Sequence, residues 1–121
     1  MGTKTLLSFE QFEQLPVQEG RLLRLDEGEV HVMSTGRPRH NWVRDGLAYR
    51  LRRAVEEGGQ GEIFIETEFR LSADTVRIPD IAFVPPERAR QIDPVRPIDS
   101  APALAVEVVS PTDLAGTLRG R

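Results

Sequence analysis

Two acidic residues stand within apolar segments of this 121-residue sequence. Asp80 follows Pro79 in the segment VRIPDIAFV, and Glu107 lies inside the segment LAVEVV. A carboxylate in a covered strand loses its hydration, so each is expected to be neutralised, hydrogen-bonded or bound to a cation. Carboxylates from neighbouring strands, with a main-chain carbonyl beside one of them, supply the oxygen ligands that Mg2+ or Mn2+ prefers. The pair therefore predicts a divalent-metal site that can activate water and stabilise charge on a phosphoryl group.

The same two residues also fit a structural role without a metal. In that interpretation LAVEVV is an edge strand with Glu107 in solvent, and Asp80 only caps a bend after Pro79. Carboxylates are mostly exposed in folded proteins, and metal sites are less common than solvated strand carboxylates. The spacing alone therefore leaves both interpretations open.

A second feature with chemical meaning is a concentration of arginines. Six arginines lie between residues 37 and 53, against one acidic residue, Asp45, in a chain whose net charge is −3. Such a local surface is typical of contact with nucleic-acid phosphates, whereas the net charge argues against binding through bulk charge alone. A solvated helix face is the alternative. Trp42 and Tyr49 could stack on bases, but aromatic residues near an apolar stripe more often belong to the core.

Periodicity predicts the elements that position these residues. Ser8 and Gln11 form a capping box for a short N-terminal helix. Two apolar runs, residues 21–25 and 29–33, flank a tight turn that ends in Gly28, which predicts a β-hairpin.

The middle of the chain predicts one long helix and two strands. Apolar residues recur at helical spacing from Val43 to Val55, and Gly58-Gly59 end the helix. From Glu62 to Leu71 the period changes to two, which predicts a half-buried strand. Residues 76–84, VRIPDIAFV, predict another strand with a bulge or bend at the carboxylate after proline.

The C-terminal part predicts a connection, a strand and a helix. Residues 85–103 hold five of the nine prolines and predict a long surface connection with one helical turn at PERARQ. LAVEVV is almost uniformly apolar, which predicts a strand covered on both faces. Residues 110–113, SPTD, have the composition of a helix start.

Composition limits the remaining function classes. The length is that of a single domain over residues 1–121, and no run reaches the roughly 18 apolar residues of a membrane span. The absence of cysteine excludes disulfides, thiolate metal sites and cysteine nucleophiles. The sequence starts without the apolar core of a secretory signal, so a cytoplasmic location is expected. No phosphate-binding glycine loop, HExxH or GxSxG motif is present, and no nucleotide cofactor is expected.

Taken in order, the segments resemble a known family. The similar pieces are SFEQFEQLP, RLLRLDEGEVHVM, a helix led by His40 where family members often have a histidine, RIPDIAFV and ALAVEVVSPTD. They resemble the putative restriction endonuclease family of the PD-(D/E)XK nuclease superfamily, from residue 8 to residue 121. The resemblance implies a restriction-endonuclease-like α/β (α+β) domain, in which a mixed β-sheet core is flanked by helices and preceded by an N-terminal helix and β-hairpin.

The resemblance also implies a chemistry and assigns residues to it. The reaction would be hydrolysis of a DNA phosphodiester with Mg2+ or Mn2+, held by Asp80, Glu107 and the main-chain carbonyl of Val108. Glu66 or Glu68 could assist through water. His40 has the alternative role of a solvated residue at the helix start. Contacts to DNA are expected from the basic helix and its approach: Arg37, Arg39, His40 and Arg44.

The sequence departs from the family pattern where a lysine is expected. Superfamily members usually carry it two residues after the second acid, where this chain has Val109, and Lys4 is the only lysine. In this family the lysine resembles one displaced to the next helix, about fourteen residues after the glutamate, which here is Arg121. Arginine can contact a phosphate, but with a pKa above about 12 it cannot readily act as a general base.

Two hypotheses follow. The family continues beyond the last residue of this sequence, so we expect the C-terminal part of the domain to be missing. The first hypothesis is a Mg2+-dependent DNA endonuclease domain, for which a two-fold homodimer is the simplest way to cut both strands. The second is a catalytically inactive nuclease remnant that binds DNA or a protein through residues 37–53.

Overall fold

The computed structural model describes residues 5–16, 22–33 and 36–109. Its described residues form two β-sheets and three helices, in the order α1 (Phe9–Glu13), β1 (Leu22–Asp26), β2 (Glu29–Met33), α2 (Pro38–Glu56), β3 (Glu62–Ile65), β4 (Phe69–Ser72), β5 (Thr75–Arg77), β6 (Ile81–Val84), α3 (Pro86–Ala89), β7 (Ile98–Asp99) and β8 (Leu104–Val106). The larger sheet has the order β2-β1-β5-β4-β7 and the smaller has β3-β6-β8. All pairs are antiparallel except β4 and β7. The predicted mixed α+β class with an N-terminal helix and hairpin is confirmed.

The N-terminal helix is fixed by its capping box. The Ser8 hydroxyl accepts from the Gln11 amide at 3.2 Å, and the Gln11 side-chain oxygen accepts from the Ser8 amide at 2.9 Å. Phe9 and Phe12 are buried with Leu25 of the hairpin. Burial of these two rings holds α1 against the larger sheet. The capping box predicted at Ser8 and Gln11 is confirmed.

The two long strands predicted over 62–71 and 76–84 are each divided between the sheets. Their outer halves pair as Glu62↔Val84 in the smaller sheet, and their inner halves pair as Phe69↔Arg77 in the larger sheet. The pairing register is the same on both sides of the break. The two predicted strands thus form one antiparallel hairpin that passes from one sheet into the other, and the expectation of single continuous strands is wrong.

The break has identifiable causes in the backbone. Glu66 adopts the left-handed conformation, with φ of 46°, which is uncommon for a non-glycine residue and bends the strand. Pro79 has no N–H and cannot donate to the ladder. The Glu66 amide still donates to the Asp80 carbonyl at 3.1 Å, so the hairpin holds its register while changing sheets. The bend predicted at Asp80 is confirmed.

Helix α2 covers the smaller sheet with only the C-terminal part of the predicted apolar stripe. Ala48 is 1% exposed and packs with Ile63 and Ile81. Leu51 and Val55, which belong to the predicted stripe, pack partly buried against the same cluster. Val43 and Leu47, placed on the apolar stripe by their spacing, are 52% and 36% exposed. The interpretation of Trp42 and Tyr49 as core residues is also wrong, because both lie on the exposed side of the helix.

The C-terminal segment contains one more strand than predicted. Residues 85–103 include the predicted helical turn, α3, but also β7, which pairs in parallel with β4 through Phe69↔Ile98. Strand β8 pairs with β6 and ends at Val106, and Leu104 is 53% exposed. Within the described residues, the prediction of a strand covered on both faces is therefore wrong. The helix start predicted at residues 110–113, and Arg121, lie outside the described residues. None of the helices that the structure describes is long and apolar enough to cross a membrane.

Candidate active site

Three acidic residues lie side by side at one end of the smaller sheet. The pairs Ile65↔Ile81 and Ile81↔Val106 are the last ones of the three strands at this end. Glu66 follows β3, Asp80 precedes β6 and Glu107 follows β8, so the register sets Asp80 between the two glutamates. We call these three residues the acidic row; Glu66 and Asp80 lie close enough to share a cation, whereas Glu107 is exposed. Neighbouring carboxylates repel one another unless a cation or a hydrogen-bond donor lies between them.

Asp80 has a polar contact at each of its oxygens. The Val108 amide donates to Oδ2 at 2.7 Å, and the His40 Nε2 atom lies 3.2 Å from Oδ1. The side chains of Asp80 and His40 are 14% and 18% exposed. Hydrogen bonds to a carboxylate are stronger than neutral ones, so the Val108 amide fixes the position of Asp80 at the end of the sheet.

His40 reaches Asp80 because the chain before α2 passes close to the imidazole. A Cβ atom on Gly36 would lie 2.6 Å from His40 Cδ2 and 2.5 Å from Asn41 Oδ1. No side chain fits between this backbone and the ring. Gly36 therefore allows the first turn of α2 to set its histidine over the acidic row.

Arg44 lies one turn after His40 on the same face of α2 and contacts the next carboxylate. Its Nη1 donates to Glu66 Oε1 and its Nε donates to Asp45 Oδ1 at 2.9 Å. The side chain is 12% exposed. Burial lowers the pKa of Arg44, but the Asp45 hydrogen bond and the charges of Glu66, Asp45 and Asp80 outweigh it and raise the pKa overall. Arg44 thus supplies a permanent positive charge beside the acidic row.

His40, Glu66 and Asp80 could together hold a metal ion. One ligand atom from each lies within 4.8 Å of the other two. The oxygen ligands suit Mg2+ and Mn2+, and the imidazole nitrogen adds a ligand more typical of transition metals. The chemistry of the donor set therefore fits a divalent cation, with a preference for Mn2+ if all three residues bind it.

Comparison with known proteins places the chain in a family. Residues 9–120 match the Uma2 family, described as putative restriction endonuclease. The chain belongs to the Uma2 family. Among solved structures, a putative nuclease belonging to DUF820 from Anabaena variabilis ATCC 29413 has the same fold, with a TM-score of 0.72 and 17% sequence identity over 94% of this chain and 66% of that chain. The Uma2 chain thus spans less than two thirds of that protein's length. The comparison with curated proteins finds no match.

The structure brings several of the predicted residues of the Uma2 chain together. Asp80 and His40 are in direct contact, and Glu66 lies beside them. Glu107 is outside the group of three ligand atoms but next to Asp80 by register. Val108 meets Asp80 through its amide, and a metal contact of its carbonyl stays a prediction.

The predicted DNA-binding arginines do not form one surface. Arg37 and Arg39 are exposed at the start of α2, whereas Arg44 points into the acidic row. The pair formed by Arg44 and Glu66 was not predicted. The sequence contains an indication that Arg44 belongs to the site, because His40 and Arg44 are four residues apart and therefore share one face of a helix.

A cleft of 690 Å3 adjoins this site, and Glu68 is one of its lining residues. Glu66 and Glu68 line it together with Glu13 and Arg96, and Arg96 donates to both Glu13 oxygens, at 3.1 and 2.7 Å. Burial, and secondly the charge of Glu13, raises the pKa of Glu68 above its ordinary value of 4.5. Glu68 is more easily protonated in the native state than in the unfolded chain.

This shift predicts a pH-dependent effect of replacing Glu68 by glutamine. The folded pKa is raised, so ionised Glu68 opposes folding increasingly as pH rises from 4.5 through the folded pKa. We expect Glu68→Gln to raise the Tm at neutral pH and to lose this advantage below pH 4.5. Thermal unfolding in chelator, at neutral pH and below pH 4.5, measures the change in Tm. Glu87→Gln on α3, an exposed glutamate, is the control. An equal shift at both pH values would contradict it.

Proposed function

We propose that this chain carries a divalent-metal-dependent DNA endonuclease site. The observation that supports it most directly is the convergence of His40, Glu66 and Asp80 in a chain of a nuclease family. Metal-dependent hydrolysis needs clustered acidic ligands held in fixed positions. Asp80 meets this need, because the Val108 amide donates to one of its oxygens and the imidazole of His40 packs beside the other.

Each residue has a distinct role in this proposal. A divalent cation bound at the acidic row would supply an acidified water and a positive charge for the phosphoryl group. Asp80 is the central ligand and Glu66 the neighbouring one, while Glu107 keeps the role of second acid that its position suggests. His40 offers a ring nitrogen to the cation, and its imidazole lies beside Asp80. Water adds to phosphorus as the ester P–O bond breaks, and the proton passes to the leaving oxygen.

The proposed substrate is DNA. Arg37 and Arg39 are exposed just before the residues that face the acidic row, where they can meet phosphates on either side of the scissile bond. A homodimer with two-fold symmetry would present two such sites to the two strands of a duplex. Mg2+ and Mn2+ are the proposed metals.

A plasmid assay tests this proposal. We expect the chain to nick supercoiled DNA in Mg2+ or Mn2+, not in chelator, and we expect Asp80→Asn to reduce nicking to background. Asp99→Asn, an exposed aspartate in the larger sheet, is the matched control and should cut as the wild type does. Equal nicking by the Asp80 variant would show that the activity comes from elsewhere.

A second candidate function is supported by Val109. This residue stands at the position of the superfamily lysine and is 42% exposed, and a valine can neither transfer a proton nor contact a phosphate through a charge. In that case the chain is an inactive nuclease remnant that binds DNA or a protein through α2. DNA binding without nicking, under metal concentrations that saturate the site, would favour this function over the first.

A further inference from the structure

The side of α2 that points away from the smaller sheet carries large aromatic side chains. Trp42 is 75% exposed and Tyr49 is 62% exposed. Aromatic residues are rarely this exposed without a partner, because each could bury a large apolar area. We call this side the outer face of α2, and it comprises Arg39, Trp42, Gly46, Tyr49, Arg50 and Arg53.

Helical geometry places these residues in one row. At 3.6 residues per turn, Trp42 and Tyr49 lie two turns apart, about 10 Å along the axis. Gly46 lies between them, and a Cβ atom on it would have no neighbour within 4 Å. The space between the two rings is therefore open. Ala48 lies on the opposite side of the helix and is buried.

The outer face is also positively charged. Arg39 and Arg50 are exposed, and the Arg53 guanidinium lies 5.9 Å from the centre of the Tyr49 ring. The Arg53 Nε atom also lies 3.5 Å from Glu57 Oε1. Asp45, on the flank of the helix, accepts a hydrogen bond from Arg44. Alternating aromatic rings and arginines are the features that bind a flexible polyanion with exposed bases.

We propose that the outer face of α2 binds a single-stranded segment of DNA. Bases stack on Trp42 and Tyr49, and phosphates meet Arg39, Arg50 and Arg53. This inference rests on the proposed function for the identity of the nucleic acid. It deepens that function by making an unpaired segment beside the cutting site part of the substrate.

A single strand fits this face better than a duplex or a second copy of the chain. In a duplex, the bases are already stacked on one another, so their faces are not free to stack on an indole ring. A symmetric contact between two copies would oppose the arginines of one face to those of the other, which is unfavourable.

The outer face lies close to the acidic row. Trp42 is only two residues after His40, on the other side of a helix that is about 10–12 Å wide. A strand that passes around the N-terminal end of α2 can therefore reach both sides within a few nucleotides. The first turn of α2 has no side-chain cap, and its positive end favours phosphates along this path.

Trp42 itself reports the binding, because it is the only tryptophan of the chain. The full chain in chelator is titrated with oligothymidylate of about 16 nucleotides, at the upper end of single-strand site sizes, and its tryptophan emission is recorded. We expect saturable quenching by the single strand and little by a duplex of equal length. With labelled oligothymidylate, Trp42→Ala and Tyr49→Ala should each weaken binding on the order of 10-fold.

Matched variants separate stacking from loss of structure. Tyr49→Phe keeps the ring and should bind as the wild type does, and Val95→Ala removes an exposed side chain, 86% accessible, that does not belong to α2. Circular dichroism verifies folding of each variant. Unchanged emission at saturating oligothymidylate, or equal affinity of Trp42→Ala and the wild type, would overturn the inference. Self-association that Trp42→Ala abolishes, without DNA binding, would instead assign the face to a second copy.

The result of the quenching experiment does not depend on whether the chain cleaves DNA. Binding is measured in chelator, so the quenching requires neither a bound metal nor cleavage. Quenching without any metal-dependent nicking would support the outer face and count against the nuclease proposal. Metal-dependent nicking without quenching would support the nuclease proposal and overturn the proposed role of the outer face.

Discussion

Replacing Asp80 by asparagine is expected to weaken Mn2+ and Mg2+ binding by on the order of 100-fold or more, without unfolding the chain. Loss of a group that only supports a metal ligand already weakens binding about 10- to 100-fold, and Asp80 is the central ligand of the proposed site. An asparagine oxygen can still accept from the Val108 amide, which donates to Asp80 Oδ2 at 2.7 Å. The fold at this position should therefore persist while the negative charge is lost. Calorimetric titration, with circular dichroism on the same samples, measures both effects.

Variants of the two flanking glutamates define the site more sharply. Glu66 belongs to the group of three ligand atoms and Glu107 does not, so Glu66→Gln should weaken binding more than Glu107→Gln. Equal losses for Glu107→Gln and Asp80→Asn would support the assignment based on the family pattern instead. His40→Ala should reduce the preference for Mn2+ over Mg2+, because imidazole is a better ligand for Mn2+.

Two results would contradict the site as a whole. One is wild-type affinity in the Asp80 variant. The other is a loss of equal size in Asp99→Asn, since Asp99 is exposed and belongs to the other sheet. A folded wild type that binds neither metal would leave the acidic row as a purely structural arrangement.

The parts of the fold that depend on local chemistry were predictable from the sequence. The capping box at Ser8 and Gln11 and the turn at Gly28 use only a few neighbouring residues, and each formed as expected. The alternation from Glu62 to Leu71 correctly indicated extended chain. It could not show that the strand changes sheets at Glu66, because that bend depends on pairing with the residues around Pro79.

The same distinction applies to the candidate site. Asp80 stood out because a carboxylate in an apolar strand needs a partner, and the bend beside it was visible in Pro79. Glu66 looked like one of several alternating charges, and only its left-handed backbone and the register opposite Asp80 set it apart. The buried face of α2 was predicted only in part: Leu51 and Val55 pack against the sheet, but spacing alone ranks Val43 and Leu47 above Ala48. The position of the sheet decides which side of the helix is covered.

Replacing Arg44 by methionine is expected to affect metal binding and cleavage in opposite directions. Arg44 contacts Glu66 and keeps its charge near Asp80, so it competes with a cation for the acidic row. Its removal should tighten Mn2+ binding, because like charges repel more strongly in a partly buried site. Nicking should nevertheless fall about 100-fold or more, since a fixed donor that stabilises charge in the transition state contributes on this order.

The opposite signs distinguish a catalytic Arg44 from a structural one. Its two hydrogen bonds to Glu66 and Asp45 use two of the five donors of a guanidinium, so the group can also meet a phosphate oxygen. Methionine keeps much of the apolar stem, and circular dichroism would detect any loss of fold. Arg44→Lys keeps the charge but not the planar donor set, and should restore part of the activity. If both variants bound Mn2+ more weakly and unfolded at lower temperature, Arg44 would serve to hold Glu66 in place. If Arg44→Met bound more tightly and cut as fast as the wild type, the charge that stabilises the transition state would have to come from another residue.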